Sequence, residues 1–300
     1  MMTIDSVTTW QISIDVPIHS LDFMQNALEP VVNALSVKIN TKDCLIRAYT
    51  QKRPEHEKIL SAVARAAAEA NIQTPYVEII MLPPTDWVTQ SIRHLNPVKI
   101  GRFLIRGSHI KRCGNPSVIE LEINAGNAFG TGHHATTQGC LLALTKLAYR
   151  RGPLNSLDLG CGAGTLAFAI SKLWKTRTVA IDIDENAIQA TKENALTNGI
   201  QRLVCCEVCD GLNSPVVRTR GPYDLLVANI LFRPLIKLAR SITDNLSGGG
   251  TVILSGILDQ QASALVTTYR NHGVTLNDRF SIDGWTTLIM KKPSKIQHTV

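Results

Sequence analysis

Four short stretches carry residue types and spacings suited to chemistry. NAFGTGHHATT (127–137) sets Thr131 between Gly130 and Gly132, follows it with His133 and His134, and runs through Thr136 and Thr137 into an apolar segment. SLDLGCGAG (156–164) places Gly160, Gly162 and Gly164 in a G-x-G-x-G series behind Asp158. Asp182 closes RTVAID, and Asn229 stands near the end of YDLLVANI. Glycines so spaced let a backbone turn sharply and approach a ligand without interference from Cβ. An acidic side chain roughly 20 residues further on can accept from both hydroxyls of a ribose, and Asp182 lies 22 positions after Gly160. A glycine–threonine loop ahead of a helix can meet a carboxylate with backbone N–H groups and hydroxyls. Zinc is disfavoured at His133-His134, because adjacent histidines on one loop rarely share a metal and no partner ligand is near. The G-x-x-x-x-G-K-[ST] phosphate loop is absent.

The elements that position these residues fall into two patterns. In the first 85 residues, TWQISIDV alternates like a strand, and SLDFMQNALEPVVNAL is helix-like up to and around Pro30. ALSVKIN and CLIRAYT read as a hairpin, HEKILSAVARAAAEAN as a helix and YVEIIML as a strand. That order predicts a small ferredoxin-like α+β domain, a natural recognition module. From residue 154 the pattern changes to buried strands alternating with helices. LNSLDLG, RTVAIDID, LVCCEVC, YDLLVANI and GTVILSGIL are near-continuous apolar runs, as in a parallel sheet covered on both faces. FRPLIKLARSITDNLSGG reads as a helix, and VTLNDRFSI with DGWTTLIMKK as a closing antiparallel hairpin. The expected fold class is therefore α/β, a doubly wound seven-stranded sheet behind the smaller domain.

The G-x-G-x-G series departs from the G-x-G-x-x-G of dinucleotide sites. Asp182 alone does not separate NAD from S-adenosylmethionine, since both present the same ribose. The combination D-x-G-C-G-x-G at 158–164 resembles the first motif of class I S-adenosylmethionine-dependent methyltransferases, as does the antiparallel last strand. Asn229 falls at the carboxyl end of the fourth strand, where ligands of open α/β sheets sit. Many class I enzymes that methylate nitrogen carry N/D-P-P-Y/F there. This chain follows Asn229 with Ile230-Leu231-Phe232, which argues against a planar amide or adenine nitrogen and leaves an amine on a flexible chain. The alternative is that Asn229 merely caps the helix at 232–246.

Gly126 to Thr137, DWVTQSIRHLNPVKIGRFLI (86–105), DLGCGAG (158–164), AIDIDENAI (180–188), VANI (227–230) and LSGIL (254–258) together resemble the PrmA family, the methyltransferases of large-subunit ribosomal protein L-eleven. The resemblance spans nearly the whole chain and is specific between 86 and 258. It implies S-adenosylmethionine contacts at Thr137, Gly160, Asp182 and Asn229, with Phe129, Gly130, Thr131 and Gly132 lining a cofactor loop. Gly162 joins them as part of the glycine turn. It also implies methylation of the α-amine and lysine ε-amines of L-eleven, with residues 1–85 holding the substrate, 86–112 as a linker and 113–300 as the catalytic domain. Ala135 stands where proline is common, and Asn127 is a polar departure. His133 and His134 read as loop-shaping. Asn229 is the candidate catalytic residue, orienting the amine through its side-chain oxygen.

Charge and cysteine content fit an intracellular enzyme. The net charge of +7 is concentrated: residues 86–112 hold six basic residues against one acidic, whereas residues 1–85 are slightly acidic. A basic connector suggests a weak contact with ribosomal RNA, or simply a solvated link. Seven cysteines, an odd number, read as buried reduced thiols; Cys206 and Cys209 have zinc-knuckle spacing without a matching second pair, so no metal is expected. No secretory segment or membrane-length apolar run is seen, so a cytoplasmic protein is expected. The rival readings are a methyltransferase of another protein lysine, such as the electron-transfer flavoprotein β-subunit, an RNA methyltransferase, a nicotinamide oxidoreductase, and a non-catalytic RNA-binding module.

Overall fold

The computed structural model describes residues 9–82, 96–124, 132–149 and 151–294. The chain divides into two units, Met1–Trp87 and Val88–Val300.

In the first unit the order is β1 (Thr9–Pro17), α1 (Leu21–Leu28), β2 (Ala34–Ile39), β3 (Asp43–Thr50), α2 (His56–Glu69) and β4 (Val77–Leu82). The strands form an antiparallel sheet in the order β2-β3-β1-β4, the ferredoxin-like arrangement. Alternation puts Ile12, Ile14 and Val16 of β1 and Cys44, Ile46 and Ala48 of β3 on one buried face. Leu21, Met24 and Leu28 of α1, and Ile59, Val63 and Ala67 of α2, recur at helical spacing and are buried with them. Burying each large side chain contributes about 1.5–3 kcal/mol. Helix α1 stops one residue short of Glu29, and the chain tightens into a 3-10 turn at Glu29–Val31. Pro30 lacks the N–H that a continuing helix needs, so the expected run around it ends early.

The second unit is built on a seven-stranded sheet. Its elements are β8 (Asn155–Leu159), α4 (Thr165–Trp174), β9 (Arg177–Asp182), α5 (Glu185–Thr197), β10 (Val204–Val208), α6 (Pro215–Arg220), β11 (Tyr223–Asn229), α7 (Phe232–Asp244), β12 (Leu246–Leu258), α8 (Ala262–Asn271), β13 (Thr275–Ile282) and β14 (Trp285–Lys291). The strand order is β10-β9-β8-β11-β12-β14-β13. The first five run parallel; β14 and β13 are antiparallel to their neighbours. The chain leaves β8 toward β9 on one side and returns to β11 on the other, so the β8–β11 boundary is the switch point where such sheets open a crevice. Helix α3 (Ala135–Leu147) packs against this sheet, with Cys140, Leu141 and Leu144 fully buried. Strand β12 begins at Leu246, earlier than expected, because the chain turns back into the sheet directly after Asn245.

The expectation of a basic linker over 86–112 needs correction. Residues 83–95 lie outside the described residues, but Val98–Ile100 (β5) and Phe103–Arg106 (β6) form a hairpin, and Ile119–Glu122 (β7) adds to it in parallel. Ile100, Phe103, Ile105 and Leu121 are buried in the same core as Leu144 and Phe168. Those alternating apolar residues outweigh the surrounding charges. Arg106 itself is buried and paired with Glu120 at 3.1 Å and Glu122 at 2.7 Å, whereas Lys99, Arg102, Lys111 and Arg112 stay exposed.

Candidate active site

The glycine loop is set by backbone bonds that only a tight turn can make. Gly160, Gly162 and Gly164 all have positive φ, at 72°, 53° and 87°. The N–H groups of Gly160 and Cys161 both donate to the carbonyl of Ile181, at 2.8 and 3.0 Å, pinning the exit of β8 to the end of β9. A Cβ on Gly160 would overlap the Cγ2 of Ile230. Asp158 on β8 is fully buried, and its Oδ2 accepts from the N–H of Ala167 at 2.8 Å in the first turn of α4, a cap supplied from the strand. Its Oδ1 has no partner among the described residues. Burial, together with the nearby Asp182 charge and against the Ala167 hydrogen bond, pushes the Asp158 carboxyl up to about 7.

Asp182 ends β9 and is partly exposed. Its Oδ2 accepts from the N–H of Gly162 at 2.9 Å and its Oδ1 from the N–H of Asp184 at 3.1 Å. One donor on each oxygen fixes the carboxylate and leaves each a further acceptor position. Such a carboxylate fits a pair of ribose hydroxyls.

Thr137 and Asn229, 92 positions apart, come together across the switch point: the Asn229 Nδ2 donates to the Thr137 Oγ1 at 3.4 Å. Thr137 is buried in the first turn of α3, and Asn229 ends β11 half-buried. The N-cap of α7 is Leu231, so the capping alternative for Asn229 falls away. Ile230 is held between two of the sequence motifs. Besides Gly160 on one side, Gly256 (φ 87°) in the bulge of β12 lies so close that a Cβ there would overlap the Ile230 carbonyl oxygen. The DLG, VANI and SGIL segments are thus three sides of one contact. Asn229 pairs in register with Ser255, whose hydroxyl is bonded to Thr287 at 3.0 Å.

Among the remaining candidates, Gly132 is buried with φ 85°, and a Cβ there would overlap Ile105. Phe129, Gly130 and Thr131 lie outside the described residues. His134 caps α3, its Nδ1 accepting from the Thr136 N–H at 3.4 Å and lying 2.8 Å from the Thr136 hydroxyl. Its ring meets Trp285 edge-on at 5.0 Å, and burial lowers its pKa. His133 Nε2 lies 3.0 Å from the carbonyl of Asn96. Cys140 and Cys161 are buried as expected, but Cys113 is exposed, on the loop between β6 and β7. Sequence reasoning missed Thr191 and Asn194 on α5, which hold the glycine loop from behind; the available signal was two polar residues on a helical stripe that is otherwise buried.

The seven-stranded order with its antiparallel β14 and the glycine turn after β8 are those of a class I S-adenosylmethionine-dependent methyltransferase. The sequence pattern of the family described as "Ribosomal protein L11 methyltransferase (PrmA)" matches residues 11–293, and the chain belongs to that family. It is similar to the ribosomal protein L11 methyltransferase of Brucella suis, 43% identical over 210 residues that cover 70% of this chain and 74% of the relative. The corresponding protein of Allorhizobium ampelinum is 41% identical over 234 residues, 78% of this chain and 80% of the relative. The crystal structure of a ribosomal protein L11 methylase from Lactobacillus delbrueckii subsp. bulgaricus superposes with a TM-score of 0.60 at 26% identity, over 66% of this chain and 100% of that one. The enzyme is a protein methyltransferase that uses S-adenosylmethionine. No helix among the described residues is long and apolar enough to cross a membrane.

Proposed function

We propose that this enzyme methylates the α-amine and lysine ε-amines of ribosomal protein L11. The observation that carries the reading is the meeting of Asn229 with Thr137 beside the glycine turn, at an end of β11 that lacks a Pro-Pro-aromatic clamp. Gly160, Gly162, Asp182, Thr137 and Asn229 would hold S-adenosylmethionine, together with Gly132 and, as the family resemblance implies, Phe129, Gly130 and Thr131. When bound, the cofactor supplies a methyl group on a positively charged sulfur with its leaving group already in place.

The protein's own task is then alignment. A primary amine attacks only as the neutral form, and the reference pKa is about 7.7–8.0 for an α-amine and about 10.4 for lysine. An α-amine is partly ready at neutral pH, and a lysine loses its proton to solvent or on entering a drier site. With its amide nitrogen on Thr137, Asn229 keeps its side-chain oxygen as the acceptor for an incoming amine N–H. That orients the lone pair along the line of transfer, where proximity does most of the work.

Residues 1–85, within the unit Met1–Trp87, would serve as the recognition module for L11. The exposed Lys99, Arg102, Lys111 and Arg112 offer a weak contact to ribosomal RNA beside the substrate protein. The test is methyl transfer from radiolabelled S-adenosylmethionine to unmethylated L11 and to ribosomal RNA side by side. Label on the protein alone is expected; label on RNA alone would move the enzyme to the nucleic-acid methyltransferases.

A further inference from the structure

Helix α5 presents a buried polar stripe to the glycine loop. Thr191 and Asn194, three apart on one face, are its buried members, and the half-buried C-cap Asn198 continues the line beyond the helix end. The Thr191 hydroxyl donates to the carbonyl of Gly162 at 2.8 Å. The Asn194 Nδ2 donates to the carbonyl of Ala163 at 3.0 Å, so two consecutive peptides of the loop are held from behind. Trans peptide geometry then points the Ala163 N–H away from α5, toward the open side of the turn.

Asn194 has a second connection. Its Nδ2 also donates to the carbonyl of Asn124 at 3.1 Å, and its Oδ1 accepts from the N–H of Asn124 at 3.0 Å. Asn124 lies two residues beyond the end of β7. Asn198 repeats the two-point pattern one turn later, its Nδ2 bonding the Glu122 carbonyl at 2.6 Å and its Oδ1 taking the Glu122 N–H at 3.1 Å. The two amides pair with alternate residues of one strand as a neighbouring strand would. Asn198 has no contact with the glycine loop; its remaining bonds are to Asn194 and Lys172. Asn194 is 2% exposed, and three of the bonds just described are in its gift.

We propose that Asn194 is a positioning residue for cofactor binding: one amide ties the glycine turn of β8–α4 to Asn124, just beyond β7, and so fixes the turn in the shape that receives the cofactor. The inference rests on residues 160–164 forming that site. Asn198 is the internal control, since it docks β7 equally well and touches neither glycine nor Ala163.

The experiment is calorimetric titration of the full-length protein with S-adenosylmethionine, with thermal unfolding measured in parallel. Asn194→Asp keeps size and the acceptor for Asn124 but sets a carboxylate oxygen against two carbonyls. It should weaken cofactor binding on the order of tenfold, the scale of one to two hydrogen bonds, and raise KM for the cofactor more than it lowers kcat. Asn198→Asp should stay within about twofold of wild type, as suits a bond that only docks a strand. Thr191→Val, which loses the bond to Gly162 and the weaker contact with the Cys161 thiol but none of those to Asn124, supplies the second variant should Asn194→Asp fail to fold, with a smaller loss of about fivefold. Asn194→Asp or Thr191→Val folded with wild-type affinity overturns the positioning role, as does an equal loss in Asn198→Asp. Asp182→Ala separates the premise: unchanged affinity there as well would remove the site itself.

Discussion

Replacing Gly256 by alanine should show how tightly the end of β11 is clamped. Gly256 sits at φ 87°, and its Cβ would overlap the Ile230 carbonyl oxygen and lie 2.8 Å from its carbon and 3.1 Å from its nitrogen. The left-handed conformation alone costs an L-residue about 1–2 kcal/mol. Relieving the overlap means moving backbone rather than a side-chain tip, and forced repacking of that kind costs about 1–3 kcal/mol more. The sum is about 2–5 kcal/mol. Gly273 provides the comparison, because it has φ 80° and nothing within 4 Å of a Cβ. Gly273→Ala carries the conformational cost and the change in unfolded-chain freedom but no overlap, so the difference between the two variants isolates the contact. Urea unfolding of both should separate them by about 1–3 kcal/mol. Since Ile230 also packs on Gly160 of the glycine turn, Gly256→Ala should also weaken S-adenosylmethionine binding, and Gly273→Ala should not. A separation below about 0.5 kcal/mol, within the scatter of ordinary surface substitutions, together with unchanged cofactor affinity, would refute the clamp.

Three further outcomes follow from the same geometry. Asp158 is an acid whose pKa in the folded protein, pushed up to about 7, exceeds its unfolded value; the native state therefore holds the proton longer, and stability falls as pH rises from about 4 to 7 and then levels. Asp158→Asn keeps an acceptor for the Ala167 N–H and cannot ionise, so its stability relative to wild type should rise through that window by at most about 4 kcal/mol; a pH-independent difference in urea unfolding would contradict this. Arg106→Met leaves Glu120 and Glu122 without their shared cation in a mostly buried site and should cost about 3–5 kcal/mol by the same assay, whereas a cost under about 1 kcal/mol would show the pair to be solvated. Asn229→Ala should lower kcat about a hundredfold with a much smaller change in cofactor affinity; equal losses would make Asn229 a cofactor ligand only.

Much of the catalytic unit was legible because its signals are local and strong. Five apolar strand runs, three glycines at the exit of the first and an acid at the end of the next are readable without knowing any contact. The pairing of Thr137 with Asn229 was reachable only as two separate candidates, since nothing in the chain states that residues 92 apart share a bond. Two features escaped for opposite reasons. Strands β5 and β6 are short, with Lys99 inside β5 and Arg102, Lys111 and Arg112 around them, so charge masked a core alternation of Ile100, Phe103 and Ile105. The polar stripe of α5 looked like ordinary helix surface, because Thr191 and Asn194 satisfy backbone groups of the loop and of β7 that only the tertiary fold brings there. Gly256 likewise had a motif but no visible reason until Ile230 was seen against it.

The most direct measurement is intact-protein mass spectrometry of unmethylated ribosomal protein L11 after incubation with this enzyme and S-adenosylmethionine, followed by mapping of the modified amines. Mass added in methyl-sized steps at the α-amine and at lysines, and greatly slowed with Asn229→Ala, is the predicted result. An L11 of unchanged mass, in the presence of enzyme shown to bind the cofactor, would contradict the assignment of the acceptor.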